Sequence, residues 1–147
     1  MNSNLVLTEI NIYPVKSLRG ISLKEVEVED RGLKFDRRWM LVDQYGEFIT
    51  QRLNSKLALL QPIIRDKYFE VHEINNENDN IKSPISIDSG NEIKVKIWQD
   101  TVIAYSAANH INNWFSNYLG APCSLVYMLD STQRKVDQNY SKNNAGI

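Results

Sequence analysis

The sequence is short of most features that announce a chemistry. It holds one cysteine, Cys123, so no internal disulfide can form, which fits a reducing compartment. Its two histidines, His72 and His110, stand alone, with no partner at metal-ligand spacing. There is no Cys-x-x-Cys and no glycine-rich phosphate loop, so no metal site is expected. No apolar run approaches the ~20 residues of a membrane span, and the N-terminus lacks the charged and apolar regions of a signal peptide. Charge of one sign is missing too. Seventeen basic against eighteen acidic residues leave a net charge of −1, which argues against broad, salt-dependent nucleic-acid binding. A cytoplasmic protein with neither membrane nor nucleic acid among its partners is expected.

What is present is ordinary material for one domain: 147 residues, 42% of them hydrophobic. Residues 5–13 are rich in β-branched and aliphatic side chains and read as a first strand. Ile21 and Leu23 alternate with polar residues, as do Val26 and Val28, and a bulge near Lys24-Glu25 would give both pairs one inward face. The run Trp39-Met40-Leu41-Val42 suits a strand buried on both faces. Asp43-Gln44-Tyr45-Gly46 then reads as the turn of a hairpin continuing into Phe48-Ile49-Thr50. Residues 57–60 and 62–64 add apolar material, with Pro62 at a strand start or edge, and further strands are expected at 68–71, 85–87, 93–98, 101–105 and 125–129. Residues 73–83, full of Asn, Asp and Glu, read as an exposed mobile loop.

One segment changes period. Ile111, Trp114, Phe115, Tyr118 and Leu119 recur at helical spacing, with Ser106 as N-cap and Gly120 as the stop. This predicts one amphipathic helix over about 107–119, with Trp114, Phe115 and Tyr118 on its buried face. Eight to ten short strands and one helix make a mainly β chain, an antiparallel barrel with a helix packed against it.

Candidate chemistry is confined to basic residues. In Tyr13-Pro14-Val15-Lys16-Ser17-Leu18-Arg19-Gly20, Pro14 fixes φ and Gly20 lets the chain turn back. Between them a lysine, a hydroxyl and an arginine lie among backbone N–H groups, a combination that suits an anion, most of all a phosphate. On its own, the stretch is better explained by Lys16 and Arg19 as ordinary solvated loop cations. Arg37 and Arg38 directly precede the buried strand, and Arg37 could offer a rigid guanidinium fork. Asp36 beside them is half of an ion pair rather than a general base. Cys123, between a proline and a strand, reads as a small core thiol, since no adjacent base or cation would lower its pKa.

Three blocks, Tyr13-Pro14-Val15-Lys16-Ser17, then Gly32-Leu33 with Asp36-Arg37-Arg38-Trp39-Met40-Leu41-Val42-Asp43, then Thr50-Gln51-Arg52, resemble the N-terminal β-barrel domain of MOSC proteins. The helix block Trp114-Phe115-Ser116-Asn117-Tyr118-Leu119-Gly120 is similar to that family's helix. Where relatives often carry a glycine and an acidic residue before the helix, this chain has Ser106-Ala107-Ala108. The resemblance implies a MOSC N-terminal β-barrel domain over 1–136, with 137–147 a polar tail or linker toward a MOSC domain not included in the sequence.

It also implies that Lys16, Ser17 and Arg37 bind the pterin-pyrophosphate part of the molybdenum cofactor. In the family the metal is held by a cysteine of the following domain, a position that Cys123 does not match. No catalytic residue and no molybdenum are therefore expected in the chain alone, which should be inactive. The complete protein would be an oxidoreductase reducing N-hydroxylated compounds, working with its own C-terminal MOSC domain and with redox partner proteins. Sulfur handling during cofactor maturation is the alternative within the family. A non-catalytic barrel docking a partner protein or polyanion is the alternative outside it.

Overall fold

A computed structural model describes residues 5–129, 131 and 132. The chain forms β1 (Ile10–Ile12), β2 (Val15–Lys16), β3 (Ile21–Leu23), β4 (Val28–Glu29), β5 (Gly32–Leu33) and β6 (Trp39–Asp43). After a 3₁₀ turn at Ser55–Leu59 come β7 (Leu60–Ile64), β8 (Tyr68–Glu73), β9 (Asn76–Pro84), β10 (Asn91–Ile97) and β11 (Asp100–Ser106). The helix α1 (Asn109–Leu119) and β12 (Cys123–Met128) complete it. The expected mainly β architecture with one packed helix is what forms. The strands divide into open sheets: β10-β11-β12-β6-β2, β7-β8-β9, and the two-stranded pairs β1-β3 and β4-β5.

β6 organises the rest. It pairs antiparallel with β12 on one side and parallel with β2 on the other. Its first four residues are all buried, and because side chains alternate across a strand they feed two separate cores. Trp39 and Leu41 join Val15, Phe69, Val71, Phe115, Leu125 and Tyr127 in the larger core. Met40 and Val42 join Val95, Ile97, Ala104 and Val126 in the smaller one. A continuous apolar run is what such a strand needs, since neither face meets water. Each fully buried aliphatic or aromatic side chain contributes ~1.5–3 kcal/mol over leaving it exposed.

Several expectations are corrected. The first strand is only Ile10–Ile12, and Leu5 to Leu7 are exposed. The chain leaves β3 by a bend at Lys24 rather than a bulge, and Val28 stays exposed in the small β4–β5 hairpin. Beyond the Asp43–Gly46 turn, Phe48 makes a single bridge to Val42 rather than a ladder. Residues 85–87 form no strand, although Ile85 and Ile87 pack on the larger core.

The largest correction is β9. The supposed loop is a nine-residue edge strand laddered on β8, with one register shift between His72 and Glu73. Backbone hydrogen bonds carry it, and only Ile81 and Ser83 turn side chains inward. In the helix the buried stripe is Ile111, Phe115 and Leu119. Trp114 and Tyr118 are half-buried, stacked on each other at 5.8 Å, and the Trp114 indole N–H donates to Asp79 of β9 at 2.7 Å. Ala108 occupies the N-cap and makes no side-chain cap, while the Ser106 hydroxyl accepts from Asn112. The expected tail at 137–147 lies outside the described residues.

Candidate functional site

The 13–20 connector and the residues before β6 are locked together through the backbone. The Asp36 carboxylate accepts the Tyr13 N–H at 2.7 Å, and the Arg37 N–H donates to the Tyr13 carbonyl at 2.8 Å. The Trp39 N–H then donates to the Pro14 carbonyl at 3.1 Å. Pro14 has no N–H of its own to compete for these partners. The result is the short parallel pairing Val15↔Trp39 and Lys16↔Met40. About twenty residues of sequence separate Lys16 from Arg37, and this clamp removes the separation in space.

Lys16, Ser17 and Arg37 thereby line one open concavity of about 620 Å³, together with Tyr13, Phe48, Arg52 and Trp98. A smaller recess of about 260 Å³ shares Lys16, Arg37 and Trp98 with it and is also lined by Arg38 and Met40. The Lys16 ammonium is buried, 3.4 Å from the centre of the Phe48 ring and 5.6 Å from that of Trp98. Arg37 is exposed over 57% of its side chain, so its guanidinium reaches solvent. One nitrogen, Nη1, is paired with the Asp36 carboxylate, and the plane sits 4.9 Å over the Tyr13 ring. A guanidinium has five N–H donors, so this arrangement orients the fork and leaves donors for a ligand.

The backbone at this place is strained. Val15 to Leu18 form a turn closed by the Leu18 N–H on the Val15 carbonyl, with Ser17 at φ 72 in its third position. That position favours glycine. Arg37 has φ 52 and Trp98 has φ 59. Among the described residues four non-glycine residues have positive φ, and three of them line this concavity. Each such residue costs ~1–3 kcal/mol, and strain of this kind collects where a geometry is held for function.

Not every basic residue comes here. Arg19 turns away, its Nε donating to Gln61 and its Nη1 to the Ala58 carbonyl. Arg31 reaches the carbonyls of Leu129 and Thr132, and Lys34 pairs with Glu27. Arg52, Phe48 and Trp98 were not singled out in the sequence as site residues. Trp98 reads in sequence as the end of a strand, and only the pairing Ile97↔Asp100 places it in the two-residue turn between β10 and β11, where Gly, Asn or Asp is usual.

Cys123 does not suit a metal ligand. It is buried in the larger core, hydrogen-bonded to Ser116, and burial pushes its thiol pKa up, the Ser116 contact opposing more weakly. Among the described residues no group of three or more His, Cys, Asp or Glu is placed to hold a metal ion. His72 is a buried strand residue and His110 is exposed. No helix of the described residues is long and apolar enough to cross a membrane.

The profile of the MOSC N-terminal beta barrel domain matches residues 4–122. The chain belongs to this family. Human molybdenum cofactor sulfurase is 27% identical over 146 residues, covering 93% of the chain and 16% of the relative. The Drosophila melanogaster sulfurase is 30% identical over 143 residues, covering 92% and 18%. The sulfurase of Oryza sativa subsp. japonica is 30% identical over 139 residues, covering 90% and 16%. The MOSC N-terminal chain thus spans about one sixth of the length of these curated relatives. In fold it is similar to a Bordetella bronchiseptica protein solved in solution, with a TM-score of 0.55 and 17% identity over 69% of this chain and 85% of that one. A molybdenum-cofactor-related MOSC domain is therefore the coarse functional assignment.

Proposed function

We propose that this domain grips the pterin-phosphate part of the molybdenum cofactor, with Lys16, Ser17 and Arg37 as the binding residues. The observation that carries this is their convergence on one concavity, held by the Tyr13–Asp36–Arg37 clamp and by left-handed backbone at Ser17 and Arg37. Lys16 supplies a fixed positive charge from within the wall. Arg37 supplies a planar fork, and the Ser17 turn supplies a hydroxyl and backbone donors. Charge-assisted hydrogen bonds of this kind are the stronger ones available to a protein. The cofactor, when bound, supplies two-electron chemistry. The chain's own part is to hold and orient it, and this domain contributes no catalytic residue.

In the complete protein this grip serves chemistry completed by a following MOSC domain. The name shared by the curated relatives favours sulfur handling on the cofactor over the reduction of N-hydroxylated substrates. Sulfur and molybdenum analysis of the full-length protein, beside a reductase assay, separates the two.

The binding role is tested by Arg37→Lys, which keeps the charge and removes the fork. The expected result is a roughly tenfold loss of pyrophosphate affinity in the 147-residue chain with little change in melting temperature. A lower melting temperature with unchanged affinity would show that the Arg37–Asp36 pair only supports the fold.

A further inference from the structure

The geometry points to Trp98 as the stacking wall of the basic concavity, holding a flat, fused heteroaromatic ring whose phosphate is held by Ser17 and Arg37 over the buried charge of Lys16. This depends on the phosphate reading above and adds what selects the rest of the ligand.

Trp98 is an oddity on three counts. It sits in the tightest part of the β10–β11 hairpin, between Ile97 and Asp100, at φ 59. An L-residue with a bulky side chain is disfavoured there, whereas glycine or asparagine would be at ease. Burial does not offset the strain, because the residue is 70% exposed. And its ring is not loose. It packs at 5.3 Å and 56° against Phe48, the same ring on which the Lys16 ammonium sits.

That placement makes Trp98 a wall common to the open concavity and to the smaller recess. A strained, exposed indole beside the Lys16 ammonium serves neither the core nor the hairpin. It does suit a π-system. Stacking on an aromatic face is tolerant of ring identity but needs a flat partner, which a phosphate alone is not. The cations then capture the charged end, and the indole captures the ring. The competing reading is that Trp98 and the exposed Leu53, which also lines the concavity, are one apolar patch for a protein partner. The strained backbone that holds Trp98 beside Lys16 favours the ring.

The test is calorimetric titration of the 147-residue chain with inorganic pyrophosphate and with guanosine diphosphate, a probe that adds a flat bicyclic ring to the same anion. Wild type should bind guanosine diphosphate on the order of tenfold more tightly than pyrophosphate. Trp98→Ala should erase that advantage while leaving pyrophosphate within twofold, and Trp98→Phe should keep most of it. Trp98→Asn, which suits the left-handed turn, should melt no lower than wild type and still lose the ring. Lys16→Ala should weaken both ligands. If Trp98→Ala weakens both ligands equally, or neither, the stacking role is overturned while the phosphate reading stands. If Lys16→Ala leaves both affinities unchanged, or wild type binds neither ligand, the phosphate reading fails and the stacking role fails with it.

Discussion

Two concavities of nearly equal size flank the 13–20 connector, about 620 Å³ on one side and about 600 Å³ on the other. The second is walled by Ile21, Leu23, Val26, Phe35, Pro62 and Ile64, and its Lys34 is paired with Glu27. It has one left-handed residue, Phe35, against three in the first. The first carries Lys16, Arg37 and Arg52 on its lining. Volume therefore says little about which hollow is built for a ligand. The difference lies in oriented cations and in backbone conformations that the fold holds against local preference.

The edge of the apolar hollow also resists strand addition. On β7 the Leu60 carbonyl already accepts from Arg19, Pro62 has no N–H, and the Pro62 carbonyl accepts from Gln61.

The sharpest way to break the comparison is to remove the support of one hollow only. Gly46 has φ 77, its N–H donates to Asp43, and its carbonyl accepts from Lys96. A Cβ there would lie 2.5 Å from the Lys94 carbonyl oxygen, which is main chain and cannot step aside. Gly46→Ala should cost at least ~2 kcal/mol in urea unfolding, from left-handed strain and overlap together. The turn carries Phe48, the seat of Lys16, so pyrophosphate affinity should fall as well. The apolar hollow, remote from this turn, should be unaffected in its NMR shifts.

A smaller effect separates both hollows from the thiol. Burial raises the Cys123 pKa in the folded chain, so the folded state keeps its proton at a pH where the unfolded thiol has lost it. Stability from this group is complete below the unfolded value and is lost as pH rises through it toward the folded value. A gentle decline in unfolding free energy above pH ~8.5 is expected, and it should disappear in Cys123→Ala. Thiol reagents should label the native chain slowly. Fast labelling at neutral pH would contradict the core assignment.

The parts of this molecule that could be read in advance are those where side chains decide structure. Trp39 to Val42 announced a doubly buried strand because two faces needed filling. The helix was legible from the spacing of Ile111, Phe115 and Leu119. The polar strand β9 was not, because its ladder to β8 uses backbone groups that every residue carries, and its side chains look like those of a loop. The route that brings Lys16 to Arg37 was not legible, because the first strand β1 pairs with β3 and it is β2, within the stretch read as a connector, that lies beside β6. What composition concealed was conformation. Nothing in Ser17, Arg37 or Trp98 as residue types signals positive φ, since the preference runs to Gly and Asn. The Asp36 clamp on Tyr13 N–H was likewise invisible, as a carboxylate beside two arginines suggests only an ion pair.

The central claim is that oriented cations and not hollow size define the ligand site, and amide NMR tests it directly. Titrating the ¹⁵N-labelled 147-residue chain with pyrophosphate should shift the backbone signals of Lys16, Ser17, Leu18 and Arg37 and the Trp98 indole signal. Ile21, Leu23, Ile63 and Ile64, on the apolar hollow of equal volume, should stay in place. Shifts centred on the apolar hollow, or no saturable shift at Ser17 and Arg37, would contradict the account.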